Sequence, residues 1–274
     1  MEPISIPEEQ VVPMEAIAPN VHGLRIVFVN IFGVTHAGES WTLVDAGMPF
    51  SEGLIRKWVE KNFAAPPNAL VLTHGHFDHV SAARSLADSW NVPIYAHPME
   101  APYLTGKQEY PKPDVGAGGG IMSWLSPLYP RGPVNLGERL RFVQHSASNR
   151  SAIPEMPGWQ VVFTPGHTPG HMSLFRPDDR TLIAGDAFCT TKPESFFEAA
   201  ITQKPELHGP PAYFTWDWKL ASESVRRLAD LNPAIVAPGH GKPLSGSSLP
   251  EELHRLAQYF DELAVPGKIR KPAA

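Results

Sequence analysis

A single cysteine, Cys189, stands among 274 residues. No internal disulfide can form, a reducing compartment suits the chain, and a cytoplasmic protein is expected. No apolar run approaches the ~20 residues of a membrane span. The opening MEPISIPEEQ is acidic and has no basic stretch leading into an apolar one, so no signal peptide is expected. Positive charge is scarce too, with a formal net charge of −5. Phosphate backbones and anionic lipids demand a basic footprint, so neither nucleic acid nor a membrane is expected as a partner. A small-molecule substrate is, bound by a monomer or a homodimer. No short repeat and no domain-sized linker interrupts the chain. The expectation is one domain over 1–274, with an N-terminal arm or edge segment over 1–20.

Proline, glycine and histidine are plentiful. Thirty prolines and twenty-two glycines impose many fixed corners. Apolar, β-branched runs at 24–34 and 41–44 predict an antiparallel pair. Helical spacing over 52–63 precedes a short apolar strand at 69–73. A helix at 81–90, a strand at 92–96 and a helical turn or two at 99–104 follow. Residues 106–133 hold the glycine tract Gly116–Gly120, several prolines, and Trp124, Leu125, Leu128 and Tyr129. A long connection of this kind is functional or disordered, and we expect a lid inserted over 106–133. Strands resume at 140–143, 159–163, 172–175 and 181–184. Residues 188–215 read as irregular, 217–231 as an amphipathic helix, 234–237 as a strand and 251–263 as a closing helix. The order predicts α/β architecture, an αββα sandwich of two mixed β-sheets flanked by helices.

Twelve histidines matter by placement. Thr73-His74-Gly75-His76-Phe77-Asp78-His79 sets three imidazoles and a carboxylate directly after a buried strand. Imidazole nitrogen and carboxylate oxygen are zinc donors. Residues two apart can face one side of extended chain, so His74 and His76 can grip one metal, while Asp78 and His79 can face a second. His167 sits in a Pro- and Gly-bounded loop after another apolar run. Asp186 and His240 each end a further run. Singly these are weak signals. Together they set five histidines and two aspartates at strand ends.

His74–His79 in the pattern HxHxDH, then His167, Asp186 and His240 in that order, resembles the metallo-β-lactamase superfamily, closest to its glyoxalase-II-like and lactonase-like hydrolases. The resemblance implies a first metal held by His74, His76 and His167. It implies a second held by Asp78, His79 and His240, with Asp186 bridging. Two divalent cations are thus expected, zinc first, with iron or manganese as alternatives. Asp78 is implied as proton carrier. Asp45 matches an aspartate that orients a ligand histidine, and reads equally as a plain turn residue. His171 matches a second, structural histidine.

The implied activity is hydrolysis of a carboxylic ester, lactone or thioester by metal-activated hydroxide. The alternatives are a persulfide dioxygenase-like oxygenase with one iron, or a β-lactam or phosphodiester hydrolase on the same fold. Lactonase-like members often carry tyrosine three residues past the bridging aspartate, where this chain has Cys189. Trp124, Leu125, Leu128, Tyr129 and Cys189 are the expected substrate contacts, which calls for a substrate with an apolar group.

Overall fold

The computed structural model describes residues 6–7, 10–144 and 152–269. Parts of the expected arm, 1–5 and 8–9, lie outside the described residues. The chain forms two compact units, one of residues 1–110 and 130–161, the other of 111–129 and 162–274.

The first unit carries a seven-stranded sheet in the order of the chain. Its strands are β1 (Val11–Ala18), β2 (Val21–Ile26), β3 (Val29–Thr35), β4 (Trp41–Val44), β5 (Ala69–Val71), β6 (Ile94–Ala96) and β7 (Leu140–Phe142). The first four pair antiparallel, and β4 through β7 run parallel. Residues 11–18 of the arm or edge segment form the edge strand β1, paired with β2. One expectation changes here. The run at 24–34 is not one strand but a hairpin, with Ile26 opposite Val29. Its corner, Val27-Phe28, carries none of the residues that mark a tight turn. Val27 instead takes a positive φ of 60°, and its amide is held by the Gln10 carbonyl at 2.7 Å.

Parallel strands need crossover helices, and these are α1 (Glu52–Asn62), α2 (Phe77–Val80), α3 (Ala83–Trp90) and α4 (Ala101–Leu104). α1 buries Ile55, Trp58 and Val59. The Phe63 ring after it stacks on Trp41 at 3.8 Å and meets Trp58 edge-on, while the Trp41 indole donates to the Ala65 carbonyl at 2.8 Å. Aromatic stacking with a satisfied N–H anchors β4 at the centre of the sheet.

The second unit holds a short helix α5 (Ile121–Leu125) and a five-stranded mixed sheet. Its strands are β8 (Gln160–Phe163), β9 (Met172–Arg176), β10 (Thr181–Gly185), β11 (Ile235–Pro238) and β12 (Leu244–Ser245), in the order β12-β11-β10-β9-β8. β10 and β11 are parallel. The helices are α6 (Trp218–Asp230), α7 (Leu249–Gln258) and α8 (Phe260–Leu263). Leu182, Phe188, Val225, Leu228, Leu253 and Phe260 share one buried cluster. The closing helix expected over 251–263 is two helices broken at Tyr259, which leaves helical geometry at φ −107°, ψ 32°. The stretch at 188–215 contains a π-helical turn, Phe197–Thr202, and a 3₁₀ turn, Ala212–Phe214.

The architecture is therefore α/β, two mixed sheets flanked by helices. Among the described residues no helix is long and apolar enough to cross a membrane.

α6 starts cleanly because the Asp217 carboxylate accepts from the Leu220 amide at 2.9 Å, satisfying one of the orphan donors of the first turn. Asp217→Ala should cost about 1 kcal/mol and lower Tm by roughly 2–4 °C. Thermal unfolding followed by circular dichroism checks this, and an unchanged midpoint contradicts it.

Candidate metal centre

In the first unit the chemistry sits at the C-terminal ends of two neighbouring parallel strands, β4 and β5. Asp45 follows β4 with a positive φ of 62°, a conformation aspartate tolerates better than most residues. Its amide donates to the Val71 carbonyl at 2.8 Å, which turns the side chain across the end of β5. There the carboxylate accepts the Thr73 amide at 2.8 Å, the Thr73 hydroxyl at 2.9 Å and His79 Nδ1 at 2.8 Å. Asp45 and His79 are both buried.

The proton arrangement follows from these contacts. An ionised carboxylate only accepts, so Thr73 Oγ1 and His79 Nδ1 are donors. The hydroxyl has one hydrogen, already given to Asp45. His74 Nδ1, 3.1 Å from Thr73 Oγ1, must therefore donate to it. One carboxylate thus fixes two imidazoles as Nδ1–H tautomers and leaves the lone pairs of His74 and His79 on Nε2. His74 Nε2 faces His76 Nδ1 at 3.1 Å. His76 opens α2, accepting the His79 and Val80 amides at 2.9 and 3.1 Å, and the Ala46 amide holds the His79 carbonyl at 2.7 Å. The turn delivers Asp78 with its Oδ2 4.0 Å from His79 Nε2.

In the second unit His167, Asp186 and His240 follow β8, β10 and β11. The His167 loop is pressed onto the start of α6. Gly166 has φ 137°, and a Cβ there would meet the Ala221 nitrogen at 2.3 Å. The Trp216 and Asp217 amides both donate to its carbonyl, at 3.0 and 2.9 Å. β10 and β11 pair Gly185 with Pro238, so Asp186 and His240 leave the same edge. Asp186 Oδ2 lies 3.0 Å from His240 Nε2 and 3.5 Å from His167 Nε2. His171 is spent on the fold. Its Nε2 accepts the Asp186 amide at 2.8 Å, and its Nδ1 meets Thr164 Oγ1 at 2.8 Å.

All seven predicted ligands are buried. Two inward-facing nitrogens 3.1 Å apart can share one proton as a hydrogen bond, and a buried carboxylate oxygen can accept from two imidazole N–H groups; a divalent cation suits the same donors in place of those protons. The 3.1 Å separation of His74 Nε2 and His76 Nδ1 is near the roughly 3.3 Å that two nitrogens bound at ~2.05 Å to one tetrahedral ion keep apart. The donors are nitrogen and oxygen with no thiolate, which suits a divalent cation such as zinc. The residues present fit the metal that the sequence implies.

The expected substrate contacts divide. Trp124 and Leu128 are 72% and 79% exposed, while Leu125 and Tyr129 are half-buried. Tyr129 lies beside Tyr213 and Phe214, ring centres 6.3 and 6.2 Å away. Cys189 is fully buried, with its backbone paired in both directions to His208.

Sequence reasoning gave no role to Thr73, which relays the proton order to His74. It passed over Glu100 and Tyr110, both buried, whose side chains accept the Gly75 amide at 3.0 and 3.1 Å. Burial first, then the Glu100 charge, pushes the Tyr110 hydroxyl well above its ordinary pKa, so it stays a phenol that donates to Glu100. Neither residue lies in the motif, and only the folded chain brings them to it.

Two mixed sheets, each with imidazoles and carboxylates at its strand ends, define an α/β protein with a candidate metal site. The family model of the metallo-beta-lactamase superfamily matches residues 24–240. The chain is 41% identical over 250 residues to the probable metallo-hydrolase YflN of Bacillus subtilis, covering 90% of this chain and 93% of that one. It is 27% identical to the probable metallo-hydrolase YybB of the same organism, over 76% of this chain and 78% of that one. A beta-lactamase domain protein from Burkholderia ambifaria superposes with TM-score 0.60 at 22% identity, over 91% of this chain and 76% of that one. TTHA1623, solved in a di-iron-bound form, superposes with TM-score 0.52 at 25% identity, over 84% and 92%. The chain belongs to the metallo-β-lactamase superfamily of metallo-hydrolases.

Asp45→Ala would strand the Thr73 amide, the Thr73 hydroxyl and His79 Nδ1 without their acceptor. Buried orphans of this kind cost on the order of 3 kcal/mol together, or roughly 6–12 °C in Tm. Asp45→Asn, which keeps one acceptor oxygen, should lose less. Scanning calorimetry of the metal-free proteins reads the difference, and equal melting of all three forms would remove Asp45 from this role.

Proposed function

We propose that the chain is a binuclear metal-dependent hydrolase that cleaves a carboxylic ester, lactone or thioester carrying an apolar group. The observation that carries the reading is the buried Asp186 carboxylate, with one oxygen faced by the Nε2 atoms of both His167 and His240. An oxygen so placed suits a ligand shared by two cations. His74, His76 and His167 would hold the first ion and Asp78, His79 and His240 the second, with Asp186 common to both. Zinc is the ion this donor set suits first. The di-iron form of TTHA1623 makes iron the main alternative.

Two such cations supply Lewis acidity at a carbonyl oxygen and lower the pKa of water toward ~7. The protein's own groups do the rest. Asp45 keeps Nε2 of His74 and His79 deprotonated on the metal-facing side, so no proton need leave these two nitrogens before a cation binds. Asp78, with Oδ2 4.0 Å from His79 Nε2, carries a proton from the attacking water to the leaving group. Burial of the whole set excludes bulk water and keeps its electrostatics strong. Trp124, Leu125, Leu128 and Tyr129 offer the apolar surface that takes the acyl or aromatic part of the substrate. Exposed apolar side chains grouped on one segment fit a binding role.

His76→Ala and Asp186→Ala should each lower bound metal, measured by elemental analysis. Both should cut turnover of a responsive ester or lactone at least about 100-fold, beyond what loss of a supporting contact costs. Wild-type turnover with the metal gone would refute the mechanism. A panel of ester, lactone, thioester, β-lactam and phosphodiester substrates, run on zinc-loaded protein, tests the bond class. Trp124→Ala should raise KM for long-acyl more than for acetyl esters, and equal turnover of both by the wild type would argue against the apolar subsite.

A further inference from the structure

Gly75 separates the two histidines of the HxH motif, and its backbone is gripped. The amide donates to Glu100 Oε2 at 3.0 Å and to Tyr110 Oη at 3.1 Å, and the Tyr110 hydroxyl itself donates to Glu100 Oε2. A Cβ added at Gly75 would meet Tyr110 Oη at 2.6 Å and Leu104 Cδ2 at 2.8 Å. The phenol is fixed in turn. Its ring stacks on Tyr103 at 3.9 Å with an interplanar angle of 11°, and meets the His76 ring at 4.6 Å and 61°. Glu100 lies at the N-terminal end of α4 and is fully buried.

We propose that Glu100 and Tyr110 are positioning residues for the metal centre, holding His74 and His76 at the spacing of one cation by pinning the Gly75 amide between them. The proposal rests on the metal-dependent reading above. Two imidazoles on alternate residues reach the same ion only at certain backbone angles of the residue between them. Glycine has the widest choice of such angles and loses the most freedom when fixed. A bound amide, a filled space where a side chain would be and an aromatic wall against His76 remove that freedom before any metal arrives. Preorganisation of this sort strengthens binding by lowering the ordering cost. A fully buried carboxylate is costly to keep. This one also places negative charge against the amide of the residue between the two imidazoles, where it favours a cation nearby.

The test uses the full chain with metal stripped by a chelator, as wild type, Glu100→Gln and Tyr110→Phe. Zinc is titrated in competition with a chromophoric chelator. Melting of the metal-free forms and the visible spectrum of the cobalt-loaded forms are recorded alongside. Wild type should take up two equivalents. Each variant should keep one equivalent at wild-type affinity and bind the other about 10–100-fold more weakly, with an altered cobalt spectrum and a metal-free Tm lowered only by the few degrees that one lost buried hydrogen bond costs. Tyr110→Phe retains the ring and its packing, so it carries the test alone if Glu100→Gln does not fold. Two equivalents as tight as in wild type overturn the positioning role while leaving the metal reading intact. Loss of both in step with a lowered metal-free Tm shows fold support only and overturns it as well. A wild type that binds no zinc refutes the metal reading, and this inference with it.

Discussion

One carboxylate sets the proton order of half the centre. Asp45 accepts from Thr73 and from His79, and through the single hydrogen of the Thr73 hydroxyl it also decides the tautomer of His74. Two buried imidazoles thereby keep an unprotonated Nε2. A metal site requires this state. The backbone serves the same end. A positive φ at Asp45 lets β4 turn its next side chain across the end of β5, the strand beside it.

The second unit reaches a comparable result by other means. Its parallel pair, β10 and β11, ends at Asp186 and His240, and His171 uses both ring nitrogens to hold the Asp186 backbone and Thr164. The His167 loop is fixed by close packing of Gly166 on α6. In both units loops carry the donors and rigid strands place them, the usual division between scaffold and function.

Most of this was legible in the primary structure. Short apolar runs followed at once by histidine or aspartate marked the strand ends and the buried side chains beyond them together, because a buried parallel strand reads as a continuous apolar stretch. The illegible parts share a cause. The hairpin at Val27-Phe28 has no turn residues, and its Val27 amide is held by the distant Gln10 carbonyl. The break at Tyr259 lacks proline or glycine. Glu100 and Tyr110 lie 25 and 35 positions from Gly75, and contacts at such range follow from topology rather than from local pattern. The two readings left open for Asp45 resolve through its contacts. It is a turn residue by backbone and an orienting residue by side chain.

Diffraction from zinc-loaded crystals, recorded at the zinc absorption edge, tests the central claim most directly. Two anomalous peaks are predicted, one against His74 Nε2 and one against His79 Nε2, with Asp45 still bound to His79 Nδ1. No peak at these nitrogens, or metal bound through Nδ1 of either His74 or His79, would contradict it.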